Sequence, residues 1–131
     1  KLVIDKWFSL QSINCDPQYA LESAIDLSMH QDFNYKNPNR FRSLIGSFCA
    51  GNPAGFHVIS GKGYKFAADW IIKQDKINPQ TAARLCAVFQ SWKKYDKTRQ
   101  NSIKVQLNRI SETANLSKDT KEMIDRIVIK T

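Results

Sequence analysis

The residues able to attack a substrate, hold a metal or move a proton are few in this chain, and their spacing excludes most reactions. Cys15, Cys49 and Cys86 lie far apart in no paired spacing. Neither a zinc site nor a redox pair is predicted, and each cysteine reads as a small buried hydrophobe. An odd number of dispersed cysteines argues against a disulfide framework and for a reduced, cytoplasmic setting. His30 and His57 have no Cys or His at ligand spacing and read as loop or core histidines. The twelve acidic residues are scattered, and no two stand out as an acid–base couple. The chain has no His-Glu-x-x-His, no Gly-Lys-Ser/Thr phosphate loop and no Gly-x-Ser-x-Gly elbow. Gly61-Lys62-Gly63 is too short to cradle a phosphate. No catalytic or metal-binding residue is assigned, and the chain alone is expected to be inactive and to retain no zinc.

What remains is recognition chemistry. Gln80 and Arg84 stand one helical turn apart, on the face opposite Ala82, Leu85 and Phe89. They must therefore face water or another domain. Arg42 and Gly46 are also spaced i, i+4, beside an apolar stripe. A mid-helix glycine costs about 1 kcal/mol relative to alanine, so Gly46 predicts close approach by a neighbouring element. The net charge of +8, from 20 basic and 12 acidic residues, concentrates between Lys73 and Arg109, where nine basic residues meet only Asp75 and Asp96. Within that stretch Trp92-Lys93-Lys94-Tyr95 interleaves rings and cations, a pattern found on nucleic-acid surfaces. No helix-turn-helix, RNP-type or Gly-x-x-Gly signature accompanies it. It is read first as a solvated corner, with Trp92 turned inward and the lysines in water.

The elements that must position these residues announce themselves by their starts. Every proline follows an Asn or Asp: Asp16-Pro17, Asn37-Pro38, Asn52-Pro53 and Asn78-Pro79. An Asx side chain accepts from the orphan N–H groups of a first helical turn, and proline at the first helical position loses an N–H that had no partner. Apolar stripes at helical spacing follow: Val3, Trp7 and Leu10; Leu21, Ala24, Ile25 and Met29; Phe41, Leu44, Ile45 and Phe48, with Gly51 as a stop. Gly51 to Gly63 reads as a loop with one helical turn after Pro53. Then come Tyr64, Ala67, Trp70 and Ile71 on a central helix, and Ala82, Leu85, Phe89 and Trp92 on one side of the next. Asp96 caps a helix carrying Ile103, Leu107 and Ile110. Asn115-Leu116-Ser117 fits a glycosylation sequon, but Ser117 reads better as the cap of a last helix with Met123, Ile124, Ile127 and Val128.

No segment alternates with period two. The fold class predicted is therefore all-α, with about seven helices in stacked antiparallel pairs joined by short loops, a superhelical, solenoid-like array. At 42% hydrophobic and 24% charged residues, the composition is that of a soluble globular chain. No apolar run approaches the ~18 residues that span a bilayer. The opening Leu2-Val3-Ile4-Asp5-Lys6-Trp7-Phe8 is apolar rather than frayed and polar. It predicts that the chain was cut from something longer and that Val3, Ile4, Trp7 and Phe8 leave a patch prone to self-association.

The Asx-Pro segments also carry a family resemblance. Asn37-Pro38-Asn39-Arg40-Phe41-Arg42-Ser43-Leu44-Ile45-Gly46 resembles the N-P-N-R-x-R-S-L-I segment near the C-terminus of bacterial aminopeptidase N. The likeness continues in Asn52-Pro53-Ala54-Gly55-Phe56-His57, Gly61-Lys62-Gly63-Tyr64 and Asn78-Pro79-Gln80-Thr81-Ala82-Ala83-Arg84-Leu85. It also takes in Tyr95-Asp96, Arg99-Gln100, Asn115-Leu116-Ser117 and, upstream, Asp5-Lys6-Trp7-Phe8. It covers nearly the whole chain in order, departing mainly between Cys86 and Trp92.

The resemblance implies that residues 1–131 are a single helical domain, the C-terminal portion of a longer zinc aminopeptidase. The zinc and general base of such an enzyme belong to a separate thermolysin-like domain, and none is held here. The helical domain would close over that catalytic domain and line a cavity through which peptide substrates reach the metal. By matching position, Gln80 would approach the pocket for the first side chain. Arg84 and Arg42 would line the cavity and offer charge to substrate carbonyls or carboxylates. The catalytic domain of the same chain and peptides are the partners implied, with no membrane and no nucleic acid. The alternative is a helical-array binding module that uses the basic 73–109 surface for nucleic acid or an acidic protein.

Overall fold

A computed structural model describes residues 2–14 and 16–129. Among the described residues every regular element is helical and none is a strand, as the all-α expectation requires. A helix begins at each of the four Asx-Pro pairs, with Pro17, Pro38, Pro53 and Pro79 as first residues. The capping chemistry is visible at three. Asn37 Oδ1 accepts from the N–H groups of Asn39 (3.0 Å) and Arg40 (3.3 Å), Asn52 Oδ1 from Gly55 (3.2 Å) and Asn78 Oδ1 from Thr81 (3.3 Å). The chain forms two compact units, one ending at Val58 and one beginning at Ile59.

The first unit contains α1 (Leu2–Asn14), α2 (Pro17–Ser28), α3 (Pro38–Phe41), a π-helical turn (Arg42–Gly46), α4 (Ser47–Gly51) and the single turn α5 (Pro53–Phe56). Its core gathers Phe8, Phe41, Leu44, Ile45, Phe48 and Phe56, all fully buried. Phe8 meets Phe33 edge-on at 5.6 Å between centroids, and Phe48 meets Phe56 at 6.3 Å, the geometry that ring quadrupoles favour. Gly51 ends the helix as expected. A Cβ there would lie 2.6 Å from Ile13 Cγ1, so only glycine allows α1 this close.

The face that α1 buries is not the one its spacing suggested. Phe8 and Ser12 point inward, and Ser12 Oγ donates to the Leu44 carbonyl at 3.2 Å. Val3, Trp7, Leu10 and Ile13 form an outer ridge, 81%, 41%, 45% and 45% exposed. Apolar residues surround this helix on all sides, so periodicity cannot choose a face, and the ring cluster around Phe8 decides. In α2, Ala20 and Ala24 are buried, whereas Met29 lies past the helix end and is exposed.

The second unit contains α6 (Lys62–Asp75), α7 (Pro79–Leu85), 3₁₀ turns at Cys86–Phe89 and Trp92–Lys94, α8 (Lys97–Ser111) and α9 (Lys118–Ile129). As predicted, α6 is central: it packs on both α7 and α8, and α9 packs on α7 and α8. Gly61 precedes α6 with φ +79°, a left-handed conformation in which a side chain would be strained. Asp96 caps α8, accepting from Arg99 N–H at 3.1 Å, and Ser117 Oγ accepts from Thr120 N–H at 3.2 Å to begin α9.

The stripe Ala82, Leu85, Phe89 and Trp92 is buried throughout, but it does not lie on one α-helix. The α-helix stops at Leu85 and tightens to 3₁₀. Cys86, Phe89 and Trp92 recur at i+3, the repeat that keeps one face together when the turn has three residues.

Candidate functional site

The polar face of α7 follows from its cap. Asn78 and Pro79 fix the first turn, Thr81, Ala82 and Leu85 face the core, and Gln80 and Arg84 are left outside one turn apart. Among the described residues neither side chain makes a hydrogen bond or ion pair within the chain. The amide keeps its donors and acceptor, and the guanidinium its donor fork, available to something beyond this domain.

Arg42 opens the π-helical turn and is exposed, its Nη2 donating to Asn39 Oδ1. Single π turns inside α-helices are frequent at functional sites. The expected close approach at Gly46 does not occur among the described residues: a Cβ there would meet only Arg42 Cβ, at an ordinary 3.7 Å. Gln80 and Arg84 thus share one helix of the second unit, and Arg42 belongs to the first.

Most of the motif around Arg42 packs instead. Phe41 is buried, and Ser43 Oγ donates to the Arg40 carbonyl at 2.8 Å. Buried Arg40 donates from Nε to Asp5 Oδ1 at 2.5 Å and from Nη1 to the Asp32 carbonyl, with its guanidinium 6.0 Å from the Phe8 ring centre. This pair ties α1 to the start of α3. Sequence reasoning missed it, although Asp5 and Arg40 both stand in the quoted motifs. Asp75 was missed as well. From the last turn of α6 it accepts hydrogen bonds from Ser117 N–H (2.8 Å), Ser117 Oγ (2.5 Å) and Thr120 Oγ1 (2.5 Å).

Neither cysteine among the described residues is prepared as a nucleophile. Burial raises the thiol pKa of Cys49, and burial with the charge of Asp75 raises that of Cys86 to about 12. Thiolates, the reactive form, are therefore suppressed. Cys15 lies outside the described residues. His30 is half-buried, with Nδ1 accepting from Asp32 N–H at 3.0 Å and its ring 5.8 Å from that of Phe8. His57 packs on Phe56 at 4.8 Å. Among the described residues no three His, Cys, Asp or Glu side chains are grouped to hold a metal, so these residues do not fit a zinc site. Among them, too, no helix is long and apolar enough to cross a membrane.

The described residues thus form two units of short helices, several of them begun by side-chain caps. Over residues 1–129 the chain matches the family described as a domain of unknown function (DUF3458_C) with ARM repeats, and it belongs to that family. Its relatives are aminopeptidases. It is 45% identical over 125 residues to aminopeptidase N of Caulobacter vibrioides, and 45% identical over 125 residues to that of Haemophilus influenzae. It is 40% identical over the same length to that of Escherichia coli K12. Each match covers 95% of this chain and 14% of the relative. The crystal structure of Legionella pneumophila aminopeptidase A in complex with aspartic acid superposes with a TM-score of 0.89 at 39% identity, covering 98% of this chain and 15% of that one. The chain is thus homologous to the C-terminal domain of aminopeptidase N and spans 14% of the length of the curated relatives it matches.

Proposed function

We propose that residues 1–131 act as one noncatalytic domain of a zinc aminopeptidase that removes N-terminal residues from peptides, closing over the catalytic domain and lining the substrate cavity. The identity of 45% over 125 residues with aminopeptidase N carries this reading. Zinc and its ligands would lie in the catalytic domain of the parent, which works in the cytoplasm. The dispersed, buried Cys49 and Cys86 support a reduced setting.

Gln80 and Arg84 of the second unit, and Arg42 of the first, would each meet substrate. The Gln80 amide can both donate and accept, which suits selection among first side chains. Arg84 and Arg42 offer donors to carbonyls further along the peptide. The outward pair on α7 supports these roles, because among the described residues no hydrogen bond or ion pair uses either side chain.

The test is steady-state kinetics on the full-length parent with a panel of peptides and single-residue substrates. Gln80→Ala should alter discrimination among first residues by about 1–3 kcal/mol, the cost of leaving a buried polar partner unpaired. Arg84→Ala and Arg42→Ala should raise KM for peptides relative to single-residue substrates and leave kcat nearly intact, the mark of lost uniform binding. Unchanged selectivity and unchanged KM, with wild-type unfolding midpoints, would return all three residues to an ordinary solvated face.

A further inference from the structure

The second unit carries a groove that the aminopeptidase reading leaves unused. It lies between the 3₁₀ turn Trp92–Lys94 and α9 and encloses about 560 Å³. Lys93, Lys94 and Arg126 line it, with Met123 and Ile127 as its apolar part. Both walls are fixed from within. Trp92 Nε1 donates to the Ile127 carbonyl at 3.1 Å, which ties the turn to α9 and satisfies an acceptor that would otherwise repel an anion. Gln100 Nε2 donates to the carbonyls of Lys93 (2.9 Å) and Tyr95 (2.7 Å), which sets the path of the turn. The groove therefore needs no ligand to take shape, and a partner would bind without ordering it first.

Among the described residues no ion pair neutralises its charge. Lys65, Arg99, Arg109 and Lys121 each pair with an aspartate. Among the described residues, Lys93, Lys94 and Arg126 have no carboxylate within ion-pair distance. Lys104 adds a further cation nearby: its Nζ and that of Lys93 lie 5.5 and 5.3 Å from the centre of the same Trp92 ring. Cations gathered around an apolar floor draw a negatively charged partner that also has something apolar to bury.

The interleaved rings and cations suggested nucleic acid, but the geometry disfavours it. Trp92 is 5% exposed, with its ring turned to the core and flanked by lysines, so it offers no open face on which a base could stack. The exposed lining is Lys93, Lys94 and Arg126 with the neutral Gln90 and Ser91 beside them, and the floor is thioether and aliphatic. We propose that this groove docks an acidic peptide segment of a partner protein. Its carboxylates would pair with Lys93, Lys94 and Arg126, the last able to bind one with both arms of its fork. An apolar side chain between them would settle on Met123, whose unbranched thioether adapts to varied shapes.

Fluorescence anisotropy with a labelled Glu-Asp-Leu-Glu-Asp peptide tests this on the 131-residue chain at low salt, with circular dichroism confirming that each variant stays helical. Saturable binding is expected, absent for Gln-Asn-Leu-Gln-Asn and weakened when Ser replaces Leu. The double variant Lys94→Glu/Arg126→Glu should lose about tenfold or more in affinity. Lys62→Glu/Lys118→Glu carries the same change in net charge at two helix N-termini, where a carboxylate is well placed. It should lose less than about twofold, because those charges act only at long range. Equal losses in the two double variants would overturn the proposal, as would the absence of saturable binding. An unlabelled thymidine oligonucleotide that binds more tightly than the peptide, and is weakened by Lys94→Glu/Arg126→Glu, would overturn it in favour of nucleic acid.

Discussion

A carboxylate in the last turn of a helix opposes that helix's own dipole, so Asp75 at the end of α6 needs partners elsewhere. It finds them across a gap of 42 residues at the start of α9, where one N–H and two hydroxyls converge on its two oxygens. Hydrogen bonds to charged groups contribute about 1.5–3 kcal/mol each, and they do not add independently when they share an acceptor. In Asp75→Ala, Ser117 is half-exposed and can turn to water, whereas Thr120 is fully buried and cannot. The expected loss is therefore about 3–4 kcal/mol rather than the sum of three bonds. Against a typical total of about 5–15 kcal/mol, this is a large fraction. Asp75→Asn should cost about 1–2 kcal/mol, because its amide oxygen can still accept from Ser117 N–H while its NH₂ donates to hydroxyl oxygens. Thr120→Val removes one donor without changing shape and should cost about 1 kcal/mol.

The assay is urea unfolding followed by circular dichroism, with amide exchange read along α9. With a urea slope of about 1–3 kcal/mol/M, Asp75→Ala should lower the midpoint by more than about 1 M, and protection should fall first at the α9 N-terminus. Asp75→Ala combined with Thr120→Val should be clearly less than additive. A loss below about 1 kcal/mol for Asp75→Ala, or equal losses for Ala and Asn, would show that the clamp contributes nothing beyond side-chain packing.

Breaking the Arg40–Asp5 pair from one side should cost about 3–5 kcal/mol, since a buried charge is left without its partner. Urea midpoints of Asp5→Ala and Arg40→Ala check this, and a near-neutral Asp5→Ala would refute it. Alkaline pH should destabilise the second unit. The Cys86 thiol is held at about 12 in the fold against an ordinary 9.0, and Tyr64 at about 12 against 10.0, burial being the main cause of each. The unfolded chain releases these protons first, so the contribution is intact below the ordinary values and is lost as pH rises through the window up to about 12. Melting temperatures across that range, compared with Cys86→Ala, test the sign. Rapid alkylation of Cys86 in the native chain at neutral pH would contradict the burial argument. The outer ridge of α1 should drive self-association of the isolated chain. Sedimentation should show reversible oligomers that Leu10→Glu with Val3→Glu abolishes, and a wild-type chain that stays monomeric at every concentration would count against it.

The helix starts were legible because their chemistry is local. An Asx-Pro pair satisfies or removes the orphan donors of a first turn whatever surrounds it, and all four pairs do begin helices. The Gly51 stop, the turn after Pro53 and the caps at Asp96 and Ser117 belong to the same class. What was not legible depends on contacts distant in sequence. The inward face of α1 is selected by Phe33, Leu44 and Arg40, none of which leaves a trace in the spacing of α1 itself. The 3₁₀ break after Leu85 leaves the burial pattern unchanged, since an i+3 repeat serves either helix. Gly46 was read as a packing glycine, and the structure has a π turn there instead.

The same distinction bears on the candidate site. Of the Asn37–Ser43 motif, Arg40, Phe41 and Ser43 are buried and tied into the fold; in the Asn78–Leu85 motif, Asn78 caps and Thr81, Ala82 and Leu85 pack. Packing and capping alone account for those residues. They do not account for Arg42, Gln80 or Arg84, which are exposed and whose replacement by other polar residues would leave the helices intact. Surface substitutions of this kind usually change stability by no more than about 0.5 kcal/mol. Beyond the local Arg42–Asn39 hydrogen bond, folding gives little reason for an amide and two guanidinium groups at these positions. The interaction outside the domain that we propose would supply one, and variants at these three residues can probe it with the scaffold undisturbed.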